Sequence, residues 1–200
     1  MLEVSFIINL IIVILEIITL VHIKGKTNIF KYYTYLQNFI ALIISFIYLV
    51  GIGIALITKE PVFEFIRGLR YIATCSLVST TLIFVVFLKA GKRSPITKED
   101  FIGKFNHNFA NIILHYICPL LSLISFVIFE REILLNSGYW TIIVALPSCI
   151  YWLIYIILTS TKVWKEPYDF SCKKKIWEIL TMIAIPFSFI FISFIIWNIK

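Results

Sequence analysis

Residues 32–58 read YYTYLQNFIALIISFIYLVGIGIALIT, a run without one charged side chain. Wound as a helix at ~1.5 Å per residue it is ~40 Å long, more than the ~30 Å hydrocarbon core of a bilayer. Its polar residues are ordered. Thr34, Gln37, Asn38, Ser45 and Tyr48 fall at i, i+3, i+4, i+11 and i+14, one stripe of a 3.6-residue helix, and Ala41 keeps that face narrow. Lipid is a poor solvent for such a stripe, so it must turn toward other helices of a membrane bundle.

The rest of the chain supplies those helices. Of 200 residues, 60% are hydrophobic and the mean hydropathy is +0.97, against roughly 45–50% apolar in soluble domains. Charged residues interrupt the apolar runs at fairly regular intervals. Read by length and hydropathy, the spans fall at 4–22, 32–58, 66–89, 107–129, 139–161 and 176–197. The expected fold is all-α, a single integral membrane domain (1–200) of about six transmembrane helices. The first span has no basic n-region and no small-residue cleavage site, so it reads as a retained helix, not a signal peptide. Pro61 is expected to open a short amphipathic turn, Val62, Phe63 and Ile66 against Glu64, Arg67 and Arg70, leading into the third span.

A net charge of +7 does not indicate nucleic acid, because the basic residues sit in short loops beside apolar spans, where topology determinants belong. Loops one, three and five carry thirteen of the Lys and Arg residues, among them Lys24, Lys98 and Lys165. The opposite side carries five: Lys59, Arg67, Arg70, Arg131 and Lys200. The bias puts the three basic loops in the cytoplasm and both termini outside. Heavy use of Ile, Lys and Phe points to an AT-rich genome and a bacterial cell membrane. Cys75, Cys118, Cys149 and Cys172 are dispersed without a CxxC, so no metal centre, cofactor or disulfide framework is implied.

The fourth span carries His107, Asn111 and His115 at i, i+4 and i+8, again one face. His107 lies at the span's start and reads as interfacial. His115 lies about nine residues in, or ~13 Å at ~1.5 Å per residue. A lone buried histidine is more often structural than catalytic, yet the depth of His115 matches that of other polar groups. Thr34 and Asn38 enter from the same face, as do Glu16, Ser79, Thr80, Thr81, Tyr151, Trp152 and Tyr155 on their own spans. Polar groups of five helices are thus expected in the cytoplasmic half, with less in the outer half: Ser188, Ser193 and the kink at Pro186 on the sixth span. Glu16, at membrane depth, is expected to pair with a histidine or a loop lysine, or to carry its proton.

Two segments carry a family likeness. Lys31-Tyr32-Tyr33-Thr34-Tyr35-Leu36-Gln37-Asn38 resembles the segment that opens the second helix in the androgen-induced family of six-helix membrane hydrolases, above all in its bacterial relatives. Leu114-His115-Tyr116-Ile117-Cys118-Pro119-Leu120-Leu121, running on to Phe126 and Phe129, resembles the fourth helix of those bacterial proteins. The resemblance implies an intramembrane hydrolase of fatty-acyl esters with Thr34 as nucleophile and His115 as its base. The His115-to-Pro119 spacing departs from the animal members of the family.

On that reading Gln37 or Asn38 would donate to the oxyanion, and Asn111 or Glu16 would orient the imidazole. The implied partners are membrane lipids and an amphiphilic ester. Two other classes compete. A small-solute or lipid transporter or binding protein would use the same polar residues as a binding site, though the chain shows no repeat and no pair of broken helices. A haem carrier needs axial ligands on facing helices, and only His22, His107 and His115 exist.

Overall fold

The computed structural model describes residues 1–23, 33–83, 109–110, 112–130, 138–163 and 175–199. These residues form six helical rods and no strand: α1 (Leu2–Ile23), α2 (Tyr33–Thr58), α3 (Glu64–Ile83), α4 (Ile113–Phe129), α5 (Trp140–Ser160) and α6 (Lys175–Ile199). Three are long and apolar enough to cross a membrane: Leu2–His22, Tyr33–Thr58 and Trp140–Ser160. Ile113–Phe129 and Ile183–Ile199 are shorter apolar segments.

Local chemistry explains the irregularities. In α5, Trp140–Ile143 and Leu146–Ser160 are separated by a turn at 144–145. Pro147, inside the first turn of the second piece, has no N–H for the carbonyl four residues back, so the helix restarts there. Rod α4 begins and ends in π-helical turns, Ile113–Ile117 and Ser125–Phe129, around the α-helical Cys118–Ile124. The Cys118 N–H reaches back to the Ile113 carbonyl, an i→i−5 bond immediately before Pro119. Rods α2 and α5 run into left-handed lysines, Lys59 (φ 64°) and Lys162 (φ 59°), where a cation meets the negative end of the helix dipole.

Neighbouring rods are antiparallel. Leu2 and Phe6 of α1 pack with Tyr48, Ile52 and Ala55 near the end of α2. Ala41 and Ile44 of α2 pack with Leu77 and Ala73 of α3. Ile12 of α1 packs against Ile113 and Cys118 of α4. Rods α1 to α4 thus surround one interior. Rods α5 and α6 lie against another face of α3, where Tyr71, Ile72 and Cys75 join Tyr151, Trp152, Tyr155, Phe189 and Ile192. Gly68 admits the Trp140 indole to the α3 backbone, since a Cβ at that position would collide with the ring.

The region after Pro61 differs from expectation. Residues 59–63 are not helical, and Glu64 starts a helix that contains both Arg67 and Arg70. Arg70 is fully buried inside the bundle and is not an interfacial topology residue. Its helical phase places it above Thr74 and Leu77, on the face turned toward α4, where it finds Glu130.

Candidate functional site

Four helices bring polar stripes to the shared interior. On α1, Ser5, Asn9, Glu16 and Thr19 recur at i, i+4, i+11 and i+14, with Ile12 between, and every one is buried. On α2 the inward residues are Thr34, Asn38, Ala41, Ser45 and Tyr48, and on α3 Arg70 and Thr74. On α4 they are His115, Cys118, Ser122 and Ser125. The interior therefore has two chemically different ends: the end where α1 finishes and α2 begins, and the end where α2 finishes and α3 begins.

Thr34 and His115 lie toward the first end. Thr34 is buried in the first turn of α2, and His115 is buried in the first π turn of α4. Tyr35 packs with Ala110 and Leu114, so the sequence neighbours of Thr34 and His115 touch and the two starts of α2 and α4 run side by side. The π turn that carries His115 accommodates the missing amide of Pro119; such turns occur often at functional sites. Asn38 donates Nδ2 to the Thr34 carbonyl at 2.7 Å, which commits part of its amide to its own helix. The Gln37 amide is fully buried and makes no hydrogen bond among the described residues. Asn111 and His107 lie outside the described residues.

Glu16 enters the same interior from α1, and the loop lysines that were one of its expected partners lie outside the described residues. It is fully buried, and neither carboxylate oxygen has a hydrogen-bond partner among the described residues. Its electrostatic neighbours are the Arg70 guanidinium and the Cys118 thiol.

The best-connected polar cluster lies at the opposite end, where the sequence led us to expect less. Arg70 Nε stands 3.3 Å from Glu130 Oε2, and Arg70 also donates to Ser122, NH1 to Oγ at 2.8 Å and NH2 to the carbonyl at 3.4 Å. Glu130 Oε1 accepts from Ser125 at 2.6 Å, Ser5 at 2.9 Å and Asn9 at 3.2 Å. Thr74 and Ser122 share a hydroxyl contact of 3.0 Å, and the guanidinium carbon stands 5.6 Å from the centre of the Tyr48 ring. All four interior helices meet there. A signal existed in the sequence: Ser5 and Asn9 continue the phase of Glu16, and Glu130 is an acid at the end of an apolar span.

On the α5–α6 side, Tyr71 donates to the Ser193 carbonyl at 2.6 Å and shares a hydroxyl contact of 2.8 Å with Ser193 Oγ, which reaches the Thr141 carbonyl at 3.1 Å. Tyr33, at the start of α2, lies in an aromatic group with Tyr151, Trp152 and Phe189, its ring centre 4.8 Å from that of Tyr151. Among the described residues no group of three His, Cys, Asp or Glu side chains stands close enough to hold a metal ion. No family model, curated protein or solved structure matches the chain.

Proposed function

We propose that the protein is a six-pass intramembrane hydrolase of lipid acyl esters, with Thr34 as nucleophile and His115 as general base. The observation that carries the reading is the packing of Tyr35 on Ala110 and Leu114, which sets the starts of α2 and α4 side by side with both functional groups buried. The resemblance of both segments to the androgen-induced family supports the same assignment.

In the reaction, Thr34 Oγ attacks the ester carbonyl carbon while His115 takes the hydroxyl proton. Collapse of the tetrahedral intermediate breaks the bond to the leaving alcohol, which receives that proton from His115. Water then attacks the acyl-threonine, with the imidazole again as base, to release the fatty acid and restore Thr34. Thr34, in the first turn of α2, retains a little exposure (8%), which suits an ester entering from the interface with its acyl chain left in lipid. Glu16 and Asn111 remain the proposed groups for orienting the imidazole, and Gln37 and Asn38 for the oxyanion. The basic loops put this end at the cytoplasmic face of a bacterial cell membrane, with both termini outside. The test is hydrolysis of a long-chain ester by the purified protein in detergent. Thr34→Ala and His115→Ala should each abolish it with the fold intact.

A second reading rests on a different observation. Glu16 and the Asn38 Oδ1 are buried without hydrogen-bond partners among the described residues, as binding groups for a small polar solute would be. Solute flux that survives Thr34→Ala in proteoliposomes would favour a transporter or binding protein over the hydrolase.

A further inference from the structure

The interior holds two carboxylates in opposite conditions. Glu130 has three side-chain donors and a guanidinium. Glu16, equally removed from solvent, has no donor among the described residues. Arg70, the cation whose field reaches Glu16, is already committed through Nε to Glu130 and through both terminal nitrogens to Ser122. The Arg70–Glu130 pair is neutral as a unit. Glu16 is therefore the group whose charge the described interior does not balance, and an unbalanced charge at membrane depth is too costly to persist.

From this arrangement we infer that Glu16 is the binding site for one monovalent cation, a proton or an alkali ion, inside the α1–α4 bundle. One positive charge makes the interior neutral, whereas a divalent ion would leave an excess. The neighbouring chemistry suits a hard cation, because oxygen ligands favour such ions over soft metals. Gly53 faces Phe6, so ten residues along α1 and ten back along antiparallel α2 bring Glu16 level with about residue 43. Ser45 and Asn38 lie on either side of that level, and both the Ser45 Oγ and the Asn38 Oδ1 are buried with no hydrogen-bond partner among the described residues. The titratable or charged groups turned to the interior from the packed helices are Tyr48 of α2, Arg70 of α3, and His115, Cys118 and Glu130 of α4. The inference does not rest on the ester chemistry, in which Glu16 is proposed only to orient the imidazole, and its readouts need no ester, so failure of Thr34 as nucleophile leaves it untouched.

The test uses the intact protein in detergent and a hydrophobic carbodiimide. A carboxylic O–H adds across one C=N bond of the reagent, the proton passing to nitrogen, and the acyl group then shifts to nitrogen to leave a stable acylurea. Peptide mapping should find the adduct on Glu16 and none on Glu130. Modification that falls as pH rises, regardless of Na+, identifies the ion as a proton. Protection by sodium chloride but not by choline chloride identifies an alkali ion. Glu16→Gln should lose the adduct, and its melting temperature should lose the matching dependence on pH or Na+. Glu16 unmodified under every condition, or melting of Glu16→Gln with the same ion and pH dependence as the wild type, overturns the inference.

Discussion

Arg70 Nε and Glu130 Oε2 are 3.3 Å apart and joined within the bundle, although sixty residues separate them in sequence. Desolvating two charges is costly, and the cost is met only when every remaining donor and acceptor is engaged. Ser122 accepts from Arg70, while Ser125, Ser5 and Asn9 donate to Glu130. Breaking the pair from one side leaves the other charge stranded. Glu130→Gln or Arg70→Leu should each destabilise the bundle by ~3–5 kcal/mol, whereas replacing both with apolar residues of similar volume should come near to neutral. Unfolding titrations in mixed detergent will separate these outcomes. Equal losses from the single and double replacements would argue against a paired role.

Gly68 lets Trp140 pack on the α3 backbone. Gly68→Ala should therefore cost about 1–3 kcal/mol by overpacking. Gly138, where an added Cβ meets nothing within 4 Å, is the control and should tolerate Ala far better. Thermal denaturation of the two variants in one detergent gives the comparison. A combined Gly68→Ala/Trp140→Leu variant should recover part of the loss, because the indole is the obstruction.

Much of this architecture could be read from residues 32–58 and the spacing within them, because a charge-free helical run with one polar stripe has few ways to satisfy its side chains. The matching stripe on α1 obeys the same rule but is harder to see: Ser5 and Asn9 are small and fall among isoleucines, and only Glu16 draws attention. Arg70 was obscured for another reason. A basic residue near a span end ordinarily marks the interface, and its burial depends on a partner in a distant segment. The break in α5 had a visible cause in Pro147, and the π turn of α4 in Pro119, yet neither proline specifies the geometry by itself. Thr34 and His115 were legible as inward residues; that their helices start side by side depends on Tyr35 meeting Ala110 and Leu114.

Tyr71 and Ser193 join α3 to α6 through a hydroxyl pair and a carbonyl contact. Since the Tyr71 hydroxyl keeps the Ser193 carbonyl when the serine side chain is removed, Ser193→Ala should cost only ~0.5–1.5 kcal/mol. Tyr71→Phe removes both contacts and should cost more. Denaturant midpoints for the two variants give the order, and the reverse order would contradict the geometry.

Pro119 shapes the turn that carries His115. Pro119→Ala restores an N–H that can bond the His115 carbonyl four residues back, which favours an α turn over the π turn. On the hydrolase reading, the variant should keep its fold and lose about tenfold or more in kcat, because a misplacement of ~1 Å at a reacting group costs rates of that order. Ester hydrolysis at saturating substrate measures this. An unchanged kcat would mean that the π turn has no part in placing the imidazole.

Covalent labelling tests the proposed nucleophile, Thr34, most directly. A fluorophosphonate probe reacts with an activated hydroxyl by displacement of fluoride at phosphorus, and peptide mapping by mass spectrometry locates the adduct. On the hydrolase reading, Thr34 should be phosphonylated in the wild type, the label should be lost in Thr34→Ala, and it should fall at least several-fold in His115→Ala with the fold preserved. Full labelling of the Thr34→Ala protein would contradict it.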